Sequence, residues 1–165
     1  LSTGPEIALA IEKVEELVEA GMPYEEICKS ITQYIKRTGL LFMLKSLKSL
    51  ANNGRVSPIA AKLVGIVGIG VVGKASNEGT LEQMHKCRGE RRALETIVTD
   101  LEAEGFRSGK ISIGHCRNES AALQLKELIL SKFKNAVIEI HKLRGLCSFY
   151  AENGGVLVGF EKAPV

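Results

Sequence analysis

The chain has 165 residues, 45% of them apolar and 25% charged, with a formal net charge of +3, enough for one domain with a substantial buried core. That charge supports no nucleic-acid partner, and three Tyr, five Phe and no Trp leave too few stacking platforms for a single-strand binder. No apolar run is long enough to span a bilayer, and Cys28, Cys87, Cys116 and Cys147 are widely spaced with no CxxC pair, which fits reduced thiols in a cytoplasm.

The opening Leu-Ser-Thr-Gly-Pro-Glu is a helix start with no strand ahead of it, as expected for a domain whose N-terminal partner precedes it. Thr3 and Glu6 have capping-box spacing, and Ile7, Ile11, Val14 and Leu17 then recur at helical period. Gly21 ends this helix. Pro23 opens a second with Ile27, Ile31, Tyr34 and Ile35 on one face, and Gly39 closes it. Residues 1–38 thus form a helical hairpin ahead of a mixed-sheet core over residues 39–165.

Leu40-Leu-Phe-Met-Leu44 fits either a strand covered on both faces or a buried helix turn. Leu47 and Leu50 predict a brief helix that stops at Asn52-Asn-Gly54. Ser57-Pro58 predicts a short helix over residues 59–64. A strand over 66–75, a turn at 77–79 and a second strand over 80–88 then read as a hairpin. Residues 89–104 make an amphipathic helix with Ala93, Leu94, Ile97, Val98 and Leu101 inward. Gly105 terminates it. A strand over 110–116, a helix capped by Asn118 and running to about Phe133, and strands over 136–141 and 156–160 complete the chain. This order predicts an α/β fold with a mixed β-sheet and helices on one face.

Residues 50–73 carry two competing readings. Gly68-Ile-Gly-Val-Val-Gly73 matches GxGxxG, and residues 68–74 match the GxxxxGK start of a P-loop, so a nucleotide-binding enzyme is one reading. A phosphate cradle needs a strand before the glycines and a helix after them. Lys74-Ala-Ser-Asn-Glu-Gly79 is instead a turn, and Ala75 stands where a P-loop needs Ser or Thr. The other reading is the wall of an apolar cavity, since glycines inside an apolar strand mark close approach of a backbone or a ligand. No catalytic constellation is visible: His85, His115 and His141 lack partners in a nucleophile arrangement, and His85, Cys87, His115 and Cys116 lack metal-ligand spacing.

Four phrases in register resemble the DegV family, bacterial fatty-acid-binding proteins that carry acyl chains for a fatty acid kinase. Leu50-Ala-Asn-Asn-Gly-Arg-Val-Ser57 resembles the family's L-x-x-G-G-R-I-S, and Lys86-Cys-Arg-Gly89 its K-V-R-G. Lys110-Ile-Ser-Ile-Gly-His115 fits a late strand, and residues 145–160 resemble the closing G-P-V-I-G-T-H-x-G-P-G-x-x-G-x-x-F. The resemblance implies a two-layer α/β sandwich, the C-terminal domain of a two-domain protein. It also implies a long-chain fatty acid as ligand with no cofactor and no catalysis in this chain. A fatty acid kinase catalytic subunit is the implied partner, with only an indirect link to the membrane. Tyr150 falls where the family often has His, with Glu152 and Asn153 in place of Gly-Pro, and a phenol can still donate to a carboxylate.

Phe42, Leu63, Ile66, Ile69 and Phe160 are the candidate tunnel lining, with plain core packing as the competing reading for each. Arg55 and Arg88, each next to a glycine at an element boundary, are the candidate partner-facing cations; a solvated loop charge is the alternative. Burying a sixteen-carbon tail gains about 12 kcal/mol gross at about 0.8 kcal/mol per methylene. Immobilising the ligand and dehydrating its carboxylate cost several kcal/mol each, so tail burial dominates.

Overall fold

The computed structural model describes residues 3–56, 68–76 and 81–163. Helices α1 (Pro5–Glu19) and α2 (Tyr24–Tyr34) lead into β1 (Thr38–Leu44), α3 (Lys48–Asn52), β2 (Ile69–Ala75) and β3 (Leu81–Arg88). Then come α4 (Glu90–Ala103), β4 (Gly109–His115), α5 (Glu119–Lys132), β5 (Ala136–Lys142), α6 (Gly145–Ala151) and β6 (Val156–Glu161). The six strands form one sheet in the order β3-β2-β1-β6-β4-β5. Only β4 and β5 run parallel; the other pairings are antiparallel. The mixed sheet and the α/β class expected from the element order are therefore present. The helix expected over residues 59–64 and the turn at 77–79 lie outside the described residues.

Strand alternation sorts the apolar residues onto two faces. Leu41, Met43, Val72, Ile111, Ile113, Val156, Val158 and Phe160 pack against Ala93, Leu94, Ile97, Val98 and Leu101 of α4 and Ala121, Ala122, Leu125 and Ile129 of α5. All five α4 residues read inward from the sequence are buried. Leu40, Phe42, Leu44, Val71 and Leu157 face the other way, with Leu47, Leu50, Leu143 and Ala151. The helical hairpin lays α1 on this second face, over β6 and β4. Close approach is possible because Gly159 and Gly114 sit beneath Pro5.

Local expectations at helix ends fare differently. Gly4, not Thr3, occupies the N-cap of α1, with Pro5 in the first turn and no side-chain cap. The Glu6 carboxylate is drawn instead to the start of β1, where the Thr38 hydroxyl donates to it at 2.6 Å. Gly39 does not close α2; it is the second residue of β1. Asn118 does stand at the N-cap of α5, but its side chain donates elsewhere, to Glu90 Oε2 at 2.7 Å and to the Gly154 carbonyl at 2.9 Å. Burial alone would raise the Glu90 carboxyl. Lys45 at 2.7 Å and Asn118 outweigh it and hold the group below the usual carboxylate range. The starts of α4 and α5, the end of β1 and the loop before β6 are thereby tied together.

Candidate functional site

Over β1 and β2 the second face carries a cavity of about 420 Å³. Its floor is Leu40, Phe42 and Leu44 of β1, Ala75 of β2, Leu81 of β3 and Leu157 of β6; α3 adds Leu50, and α6 adds Leu146, Cys147, Tyr150 and Ala151. Gly54, Arg55 and Thr3 complete the described lining. Volume and lining fall within the range of ordinary ligand sites, apolar walls with a few polar groups.

Chemistry is uneven along this cavity. β1 finishes at Leu44 next to α3, and β6 begins at Val156, paired with Met43, directly after α6. Arg55 and Tyr150 therefore stand at that end, where the Ser49 amide donates to Glu152 Oε1 at 2.7 Å and joins α3 to the end of α6. Among the described residues, neither the Arg55 guanidinium nor the Tyr150 hydroxyl has an ion pair or side-chain hydrogen bond. A guanidinium and a phenol with free donors at one end of an apolar cavity suit a carboxylate. At the other end stand Leu40, Ala75 and Leu81, the last two cross-strand partners.

The sequence candidates divide. Phe42 and Tyr150 line the cavity, and Arg55, read as partner-facing, lines it too while remaining exposed. Ile69 is half-buried at the first position of β2, on the cavity side with Val71 but not in the lining. Phe160 faces the opposite way, 1% exposed, with its ring edge-on to Phe106 at 6.5 Å. Leu63 and Ile66 lie outside the described residues. Arg88 is exposed at the end of edge strand β3.

Sequence reasoning missed α6, which supplies four of the lining residues named above. Seven residues are too few to show helical periodicity among Gly145, Gly154 and Gly155, although Cys147, Tyr150 and Ala151 have the i, i+3, i+4 spacing of one helix face. It also left Leu40, Leu44, Leu81 and Leu157 unselected, since strands apolar on both faces give no sign of which face meets a cavity.

The phosphate reading of residues 68–74 does not survive the geometry. Ile69–Ala75 is strand β2, followed by antiparallel strand β3, so the glycines do not lead into the helix start that a phosphate cradle needs. Lys74 Nζ is paired with Glu104 at 2.8 Å, a bond that raises its pKa. Gly73 serves close packing instead: a side chain there would run into the Glu82 carbonyl and the Phe42 ring that covers it. The mixed set His85, Cys87, His115 and Cys116 does not converge either. Among the described residues the His/Cys/Asp/Glu group whose ligand atoms do converge is Glu12, Glu139 and His141, mostly exposed, on α1 and edge strand β5.

Comparison with known proteins agrees with this architecture. A DegV domain-containing protein of Streptococcus pyogenes serotype M1 is 42% identical over 161 residues, 98% of this chain and 58% of that protein. The crystal structure of the Streptococcus pneumoniae fatty acid kinase (Fak) B3 protein loaded with linoleic acid superposes with a TM-score of 0.94 at 40% identity, covering 98% of this chain and 57% of that one. A DegV family protein of Eubacterium eligens loaded with heptadecanoic acid gives 0.94 at 38% identity, over 98% and 58%. The chain thus spans a little over half the length of these relatives. The family model described as "Uncharacterised protein, DegV family" matches residues 1–163, and the chain belongs to the DegV family.

Proposed function

We propose that this chain holds a long-chain fatty acid in the cavity beneath α3 and α6 and presents its carboxylate to a fatty acid kinase. One observation carries the reading: an apolar cavity of about 420 Å³ with a guanidinium and a phenol at one end. The tail lies along Leu40, Phe42, Leu44 and Leu157, where hydrocarbon burial supplies most of the affinity. Tyr150 donates to the carboxylate at the mouth, in the place where the family often carries His, and Arg55 balances its charge. The linoleate and heptadecanoate held by the two similar proteins support this ligand class.

The chain itself performs no chemistry in this account: it is a lipid carrier, working in the cytoplasm, and the kinase makes the acyl phosphate. Arg88, exposed at the end of β3 and paired with Ile69 at the start of β2, faces the kinase. No described helix is long and apolar enough to cross a membrane, and the carrier's link to the bilayer is through its ligand.

Palmitate titration of the full-length protein tests the reading. Tyr150→Phe removes one hydrogen bond to a charged group, worth about 1.5 kcal/mol at a partly open site, so binding should weaken about tenfold. Unchanged affinity would remove Tyr150 from the carboxylate site. Failure of the unsubstituted protein to bind any fatty acid would overturn the function.

A further inference from the structure

Two cavities meet end to end along β1. The second, about 250 Å³, opens at the far end of the sheet from Arg55 and Tyr150, and Leu40 and Ala75 belong to the walls of both. With Leu41 opposite Lys74 in the antiparallel pair, Leu40 and Ala75 stand side by side across β1 and β2. Beyond them the chemistry changes abruptly. Beside Ile35, Leu41 and Phe160, the wall of the second chamber carries Glu6, Thr38, Lys74, Glu104 and Lys162. Glu104 takes Lys74 Nζ at 2.8 Å on one oxygen and Lys162 Nζ at 3.8 Å on the other.

We propose that Leu40 and Ala75 form the partition that ends the acyl cavity and so set the longest hydrocarbon tail it accepts. The inference rests on the fatty-acid reading and adds a length rule to it. Every methylene buried on the near side, against Leu40, Ala75 and Leu81, strengthens binding about fourfold. A methylene pushed past the partition enters a chamber of charged groups and strips water from them without offering a hydrogen bond. The gain per carbon therefore stops at this pair. Leu40 is the movable part of the wall, because truncating it removes a side chain that both chambers share, whereas Ala75 is the position at which an added side chain thickens the wall into the acyl side.

The test uses full-length protein and the straight-chain saturated acids from decanoate to docosanoate, each displacing a fluorescent fatty acid. Affinity of the unsubstituted protein should climb about fourfold per methylene up to a break and then level or fall. Leu40→Ala should move that break to tails about two carbons longer, and Ala75→Leu should move it to shorter ones by a similar amount. Circular dichroism and a denaturant titration establish that each variant folds, and if Leu40→Ala does not, Ala75→Leu decides alone. A break that stays in place in any variant that folds overturns the partition. Absence of binding across the whole series by the unsubstituted protein is a different result, which overturns the fatty-acid reading itself.

Discussion

Gly159→Ala is expected to lower the unfolding free energy by about 3 kcal/mol, near the upper end of what overpacking a closed core costs. Gly159 lies in the middle of β6, paired with Leu40 on one side and Ser112 on the other. A Cβ there would stand 2.6 Å from the Glu6 nitrogen and the Pro5 carbonyl carbon, and 2.7 Å from the Pro5 oxygen. All three are backbone atoms, so no rotamer change relieves the clash. The first turn of α1 must lift off the sheet, taking with it the buried contact in which Thr38 donates to Glu6 at 2.6 Å. Urea unfolding should show a lower midpoint with an unchanged slope. A loss below about 0.5 kcal/mol, the scatter of innocuous surface changes, would mean that α1 does not rest on β6 at this point.

Phe160→Ala separates the two readings that the sequence leaves open for that residue. If Phe160 is core, truncation costs about 3–5 kcal/mol and leaves fatty-acid affinity of the folded protein unchanged. The structure gives it the core role. Its ring packs between Phe106, which also meets Phe133 edge-on at 5.0 Å, and Gly39 across the strand pair, where a side chain would collide with the ring at 2.6 Å. The β6 residue that lines the cavity is Leu157, three residues away and on the opposite face. Denaturant titration alongside palmitate binding gives both quantities. Weaker binding with unaltered stability would return Phe160 to the ligand.

The contrast between Phe160 and Phe42 marks how far sequence reasoning reaches here. Both are aromatic residues in short apolar strands, and alternation fixes only that strand neighbours face opposite ways, not which face is which. That assignment comes from pairing register and from where the helices land, both long-range properties. Segments whose pattern is local and repeated were readable: the stripe on α4 is one, and the β2–β3 hairpin strands are another. Thr3 and Asn118 were legible as residues at helix starts but not in what their side chains do. Tertiary partners, Cys147 at 3.2 Å for Thr3 and Glu90 for Asn118, take the groups that an isolated helix would use as caps. Glycine spacing at residues 68–73 matched a phosphate motif only as letters, because the motif's chemistry resides in a strand-to-helix turn and this stretch continues as a strand. Arg55 was found as a notable cation, yet its place in the cavity lining depends on α6, whose seven residues sit in a glycine-rich stretch with no repeated pattern to reveal them.

The central claim is that a hydrocarbon tail occupies the space under α3 and α6. Full-length protein, purified without added lipid and analysed by mass spectrometry under denaturing conditions, should release long-chain fatty acid in roughly equimolar amount. Protein that releases none, and that also fails to take up palmitate or oleate when they are supplied, would contradict the account.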